Sequence, residues 1–248
     1  MIFPTINSHR PSHQLIRVIP VFAVIGMLAA TVFAPNAQAG GPTTSSGPAA
    51  VDLGTAANYK VLAGAALTNG GATEVYGNIG ARAAITNPTM VVTGHPDHAN
   101  AAFETAMVDV KTAYNDARSR TENVIEMSGN LAGKTLTPGV YHFNEAITLS
   151  GSTEHLTLDG KHNSANVWIF QGDAAMITSA GRRIILINSA DSNNVFWVVD
   201  GALNVGANSV LRGNFISKAA ITLGHNCEIH GALMSLDAAV TIDSSIIM

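Results

Sequence analysis

The tetrapeptide Ala220-Ile221-Thr222-Leu223 recurs as Ala146-Ile147-Thr148-Leu149, Ala202-Leu203-Asn204-Val205 and Ala239-Val240-Thr241-Ile242, and once earlier as Ala66-Leu67-Thr68-Asn69. Thr148, Ile177, Asn204, Thr222 and Thr241 hold equivalent places, separated by 29, 27, 18 and 19 residues. Periods of this size mark a solenoid, in which one turn of chain cannot bury its apolar face alone and must stack on the next. Strand residues alternate in direction, so Ile221 and Leu223 point to one side and Ala220 and Thr222 to the other. The large apolar pair is expected inside. Stacked coils then write two outward columns. One is alanine (Ala66, Ala146, Ala175, Ala202, Ala220, Ala239) and the other mainly threonine (Thr68, Thr148, Ile177, Asn204, Thr222, Thr241). Such a surface is flat, regular and uncharged.

The register extends beyond the tetrapeptide. Laying Ala66 to Ile79 over Ala220 to Leu233 without a gap matches Gly70 with Gly224, Glu74 with Glu228, Val75 with Ile229 and Gly77 with Gly231. Each coil thus reads as strand, glycine corner, strand, glycine corner, strand, which predicts a three-sided cross-section. Two longer coils carry polar inserts, Asp159 to Asn166 and Asn188 to Asn194, whose Asn, Asp, Ser and Gly content reads as surface loop.

One segment breaks the β pattern. Phe103, Ala106, Met107, Val110, Ala113, Tyr114 and Ala117 fall at helical spacing, and Pro96 and Asp97 suit a helix start, so a helix is predicted over about 96–119. The third strands, Val167 to Phe170 and Val195 to Val198, are apolar on both sides, as strands covered on both faces are. The helix is expected to pack there. The second strands carry Arg183, Arg212, Glu228 and His230 and read as ordinary solvated surface. Only the Ala/Thr face is left both uncovered and uncharged. The closing Ile246-Ile247-Met248 needs cover, which Val51 to Tyr59 is placed to supply.

Residues 1–39 read as a secretory signal peptide. Arg10 and Arg17 precede the apolar run from Val18 to Phe33, and Ala37-Gln38-Ala39 supplies small residues at the cleavage positions. Gly40 to Ala50 reads as a flexible leader and residues 51–248 as a single domain. Removing two arginines moves the formal charge from −4 to −6 and leaves about 209 residues, one ordinary domain. Nucleic-acid binding needs a concentrated basic footprint, which is missing. With Cys227 as the lone cysteine, no intramolecular disulfide holds this exported chain; its register puts it in a turn.

Other chemistries leave weaker traces. A carbohydrate-active β-helix enzyme would need paired carboxylates or a calcium-bound acid cluster beside a groove. Asp200 and Asp237 sit at strand corners two coils apart and make no such pair. His95-Pro96-Asp97-His98 resembles a metal site only superficially, because polar residues at a helix start are more often caps. His225 and His230 read as surface residues, and no Gly-x-Ser-x-Gly turn is present. No catalytic residue, metal or cofactor is assigned. An exported adhesin or polysaccharide-binding protein is the alternative from another class.

From about Val51 to Met248 the chain resembles the microbial ice-binding proteins that share a β-solenoid domain. The residues that carry the likeness are Asp52-Leu53-Gly54-Thr55-Ala56-Ala57-Asn58-Tyr59, Tyr76-Gly77-Asn78-Ile79-Gly80, Thr112-Ala113-Tyr114-Asn115-Asp116-Ala117, Leu136-Thr137-Pro138-Gly139-Val140-Tyr141 and Val167-Trp168-Ile169-Phe170-Gln171, in that order. The resemblance implies a mainly β fold, a discontinuous, right-handed, triangular β-solenoid with one long helix along a face and the N-terminal coil inserted among C-terminal ones. It also implies a secreted, monomeric, non-enzymatic protein whose partner is the ice crystal surface, with no nucleic acid and no membrane after signal cleavage. The family's loose Thr-Ala/Gly-x-Thr/Asn phrase is met here at its second and fourth positions. Its first position holds Glu145, Gly201, Ala219, Ala238 and Ala65, and Ile177 interrupts the threonine column.

Overall fold

The computed structural model describes residues 47–86, 89–151 and 154–248. The signal-peptide segment 1–39 and leader residues 40–46 lie outside them. Of the leader, residues 47–50 are described, and the carbonyls of Ala49 and Ala50 accept hydrogen bonds from Arg120 at 2.7 and 3.4 Å.

The chain winds into a three-sided stack of parallel strands, a discontinuous triangular β-solenoid. The Ala/Thr face is a seven-stranded sheet. Its stacking order is Ile147–Leu149, Met176–Thr178, Leu203–Val205, Ile221–His225, Val240–Asp243, Leu67–Asn69, Ile85–Thr86. The helix-covered face contains Gly139–Phe143, Trp168–Gly172 and Val195–Val199, and continues through the second halves of Val210–Ser217 and Glu228–Ser235 to Tyr59–Ala63 and Asn78–Ala81. The third face holds Leu156–Asp159 and Ile184–Ile187. It is joined by one bridge, Arg183 to Val210, to the first halves of those two long strands, and then to Ile246–Ile247, Thr73–Val75 and Met90–Val92.

Two expectations about stacking are corrected here. The N-terminal coils are not inserted among C-terminal ones. They add to the end of the stack, with Leu67–Asn69 paired to Val240–Asp243, the last C-terminal strand of the Ala/Thr face, and Ile85–Thr86 beyond it. Ile246–Ile247 is covered by Thr73–Val75, not by Val51 to Tyr59. Val51, Ala56 and Tyr59 instead join the apolar layer under the helix.

The helix runs from Ala101 to Ser119 and starts five residues later than its sequence pattern predicts. Pro96–His98 is a strand, with Pro96 opposite Ile79, because the backbone completes another solenoid edge before turning. Ala99 makes the turn at φ 44°, and Asn100 caps the helix by accepting from the Phe103 amide at 2.9 Å. The seven apolar residues at helical spacing are all buried, against Leu62, Ile169, Phe196, Val198, Ile216 and Met234. At the other end, the buried Gln171 side-chain amide donates to the carbonyls of Ala117 (2.6 Å) and Arg120 (2.9 Å). Those are helix-end acceptors that lack intrahelical donors.

Inside the triangle the same registers place like on like. Tyr141, Phe170, Trp197 and Phe215 pair in successive strands and stack with ring centroids 5.3, 3.8 and 5.9 Å apart. Such contacts add about 0.5–1.5 kcal/mol each beyond burial. The Trp197 indole N–H is satisfied by the Arg212 carbonyl at 3.1 Å. At the corner between the Ala/Thr face and the third face, a buried side chain in each layer takes the amide of the layer before it. Ser209 Oγ accepts from Arg182, Ser245 Oγ from Cys227 and Thr73 Oγ1 from Ser245, at 3.1–3.2 Å. Cys227 occupies the same step, in its expected turn and 2% exposed.

Gly77, Gly213 and Gly231 turn the corner between the third and helix faces at φ 157°, 121° and 147°. A Cβ on Gly231 would stand 2.0 Å from the Gly213 carbonyl oxygen, so only glycine lets these layers approach.

Candidate functional site

The alternation read from the tetrapeptide holds in space. Ile147, Met176, Leu203, Ile221, Val240 and Leu67 are buried to 1% exposure or less, and the residue after each lies on the outer surface. Direct Cα pairing joins Thr148 to Ile177, Ile177 to Asn204, Asn204 to Thr222, Thr222 to Thr241, and Thr241 to Thr68. All six predicted members of the threonine column are therefore brought together.

The alanine column follows. Carbonyls of Ala175, Ala202, Ala220, Ala239 and Ala66 accept from the amides of Ile147, Met176, Leu203, Ile221 and Val240, each at 2.9–3.0 Å. Such even spacing keeps the outward Cβ atoms in line. Ala146 precedes Ile147 at the same step.

Two layers were missed. Thr86 pairs with Thr68, and the Leu67 amide donates to the Ala84 carbonyl at 3.0 Å. Ala83-Ala84-Ile85-Thr86 repeats the phrase 18 residues after Ala65, a period already present between Asn204 and Thr222, so the signal was available. At the opposite end Asn130 bridges Thr148 without any recognisable phrase around it.

Charge collects at the corner toward the helix. Arg118 holds Asp173 at 2.6 Å and Asp200 at 3.5 Å, Lys218 reaches Asp200 at 3.2 Å, and Tyr114 donates to Asp200. Asp200 thus joins Asp173 and not Asp237, a juxtaposition that sequence spacing concealed. The guanidinium of Arg118 is the main cause of a lowered Asp173 pKa. A carboxylate kept ionised in this way lacks the raised pKa of a glycosidase acid.

The remaining candidates are dispersed. His225 lies 3.3 Å from Asp243, at the ends of two adjacent Ala/Thr-face strands, and His230 contacts Glu228 within one strand of the third face. Asp97 is occupied by the Tyr59 hydroxyl at 2.5 Å and the Asn100 side-chain Nδ2 at 2.6 Å, while His95 and His98 are exposed. Among the described residues no three His, Cys, Asp or Glu side chains gather as a metal site, and no helix is long and apolar enough to cross a membrane. The third face is mixed rather than simply charged, since Val91, Ile185, Ile187 and Ile246 are exposed beside Arg183.

A parallel solenoid with one helix-covered side and one bare side, whose alanine and threonine columns carry no charged residue, defines a class of surface-binding β-solenoid. Residues 61–248 match the Ice-binding-like family, and the chain belongs to it. An ice-binding protein of Flavobacterium frigoris (strain PS1) is 32% identical over 209 residues, covering 77% of this chain and 74% of its own. Ice-binding protein K1-A of Typhula ishikariensis is 31% identical over 224 residues, covering 81% and 86%. The crystal structure of an ice-binding protein from the Antarctic ascomycete Antarctomyces psychrotrophicus superposes with a TM-score of 0.74 at 34% identity, over 80% of this chain and 98% of that one.

Proposed function

We propose that this protein adsorbs to ice through the Ala/Thr face, thereby arresting crystal growth and inhibiting recrystallisation. The observation that carries the reading is the direct pairing of four outward threonines, Thr222, Thr241, Thr68 and Thr86, in one column that carries no charged residue. The names of its relatives support the same ligand.

Ice and solvent are the same molecule, so affinity cannot come from replacing water by a better partner; it must come from order. Strands repeat every ~4.8 Å up the stack, and outward residues i and i+2 stand about 6.6–6.8 Å apart along a strand. These spacings are close to those of an ice lattice. Threonine offers a hydroxyl that anchors a water and a methyl that discourages disordered hydrogen bonding beside it. Its β-branching restricts χ1, so little ordering remains to be paid at adsorption. Alanine keeps the troughs shallow. An ion within the threonine column would orient water toward itself; the Arg118 cluster stands at the corner toward the helix and the His225–Asp243 pair at the strand ends, both outside that column.

The reading includes export after removal of Met1 to Ala39, a monomeric state, and no enzymatic step. Its test is nanolitre osmometry on purified protein, following the gap between melting and freezing points and the crystal habit. A gap with faceted crystals is expected. Folded protein giving no gap, no shaping and no recrystallisation inhibition would end it.

A further inference from the structure

Stacking order, not chain order, decides which outward residues are neighbours, and it divides the face in two. From Ile221–His225 to Ile85–Thr86, four consecutive layers carry one phrase: Ala219-Ala220-Ile221-Thr222, Ala238-Ala239-Val240-Thr241, Ala65-Ala66-Leu67-Thr68 and Ala83-Ala84-Ile85-Thr86. Each is Ala-Ala-aliphatic-Thr. The layers on the other side are Gly201-Ala202-Leu203-Asn204, Ala174-Ala175-Met176-Ile177 and Glu145-Ala146-Ile147-Thr148, followed by Asn130, and no two of them agree.

We infer that ice contact is confined to the four Ala-Ala-aliphatic-Thr layers, with the boundary between Asn204 and Thr222. This rests on the reading of the Ala/Thr face as the ice-binding surface and assigns it a working half.

A lattice rewards only anchors that recur at its own period. Four threonines in line hold the same hydroxyl and methyl at every ~4.8 Å step, an array about 14 Å long. The two alanines before each threonine leave the same low profile beside it. In the other half that recurrence fails layer by layer. Ile177 is 42% exposed and offers no hydroxyl where its neighbours would need one. Asn204 carries its polar atoms one bond further out on a side chain with more rotamers. Glu145 brings a carboxylate to the strand entry, 2.8 Å from the Gly129 amide. Thr148 is a correct anchor stranded between unlike neighbours.

The junction between the two ends of the chain, Val240–Asp243 against Leu67–Asn69, falls in the middle of the four layers. The array is therefore complete only when the first two coils have docked on the last one.

The test is a set of single bulky substitutions at outward positions, each checked for parental circular dichroism and melting temperature before osmometry. Thr222→Tyr, Thr241→Tyr and Thr86→Tyr are expected to lose most of the hysteresis gap. Thr148→Tyr, Ile177→Tyr and Asn204→Tyr are expected to keep nearly all of it, with Thr148 the sharpest comparison because a threonine is lost there too. Comparable losses in both sets would overturn the division while leaving the face as the ice-binding surface. No loss in either set, from a parent with a clear gap, would remove the face reading itself.

Discussion

Thr241 and Thr68 stand 173 residues apart in the chain and directly opposite each other in the Ala/Thr sheet. The same closure pairs Leu233 with Val61 on the helix face and Ile247 with Val75 on the third. All three sides of the solenoid therefore continue across the junction between the chain's first and last coils. Closing a long loop costs only slowly more as it lengthens, so a ladder on every side can outweigh it.

The glycine corner predicts a sharp contrast between two alanine substitutions. Gly231→Ala would drive a Cβ to 2.0 Å from a backbone oxygen at φ 147°, and should cost more than about 3 kcal/mol of unfolding free energy. Gly181→Ala meets nothing within 4 Å at φ 70° and should cost about 1–2 kcal/mol for the left-handed backbone alone. Urea melts of the two variants decide it, and equal costs would contradict the close-approach argument.

Gln171 closes the helix from the sheet beneath it. Gln171→Leu keeps the volume but leaves the Ala117 and Arg120 carbonyls without this donor, and should destabilise by about 2 kcal/mol. Hydrogen exchange should quicken in the last helical turn before it does in the strands. Uniform quickening would mean that Gln171 serves the sheet and not the helix end.

Cys227 occupies a step of a buried ladder whose other members are Ser209, Ser245 and Thr73. Burial is the main cause of its raised thiol pKa, against hydrogen bonds from the Ser209 and Asn208 backbone. Cys227→Ser should stay within about 1 kcal/mol of the parent, because a hydroxyl can make the same contacts. Cys227→Val strands those donors and should cost about 1–3 kcal/mol. A serine variant less stable than the valine one would show that packing, not hydrogen bonding, governs this step.

His142 bridges two acidic residues, with Nδ1 2.9 Å from Glu126 and Nε2 3.2 Å from Asp173. Glu126 first, and Asp173 after it, raise the imidazole pKa above 6.5, with burial opposing. A raised folded-state value means that this contribution is complete below about 6.5 and lost as pH climbs through the folded value. Asp173 acts in the opposite sense, since Arg118 first and then His142 hold its pKa below 3.8. Its contribution is present above that value and lost as pH falls through the folded one. Unfolding free energy of the parent should therefore decline from about pH 6 upward, and His142→Gln should flatten that decline. Parallel profiles for the two proteins would remove His142 from the account.

Much of the fold was legible in the residues. Alternation within the tetrapeptide fixed which side of each strand is buried, from Ile221 inward to Thr222 outward. The shared spacing of Gly77 and Gly231 marked equivalent corners. The two-sided apolar strands at Trp168 and Phe196 located the helix. The helix start was misread because Pro96 and Asp97 serve an edge strand as readily as a first turn, and only pairing to Ile79 separates the two. The fate of Ile246 was misread because cover for a terminal strand can come from any part of the chain.

The sequence alone determined the repeat, the inward and outward assignment of its residues and the two columns, because these follow from the local period of the backbone and from burial of large aliphatic side chains. Only the tertiary structure decided the order in which coils meet. Parallel strands of equal register can stack in many permutations, and local pattern is blind to the choice. Docking of Leu67–Asn69 on Val240–Asp243 selects the one that lines Thr222, Thr241, Thr68 and Thr86 in a single row.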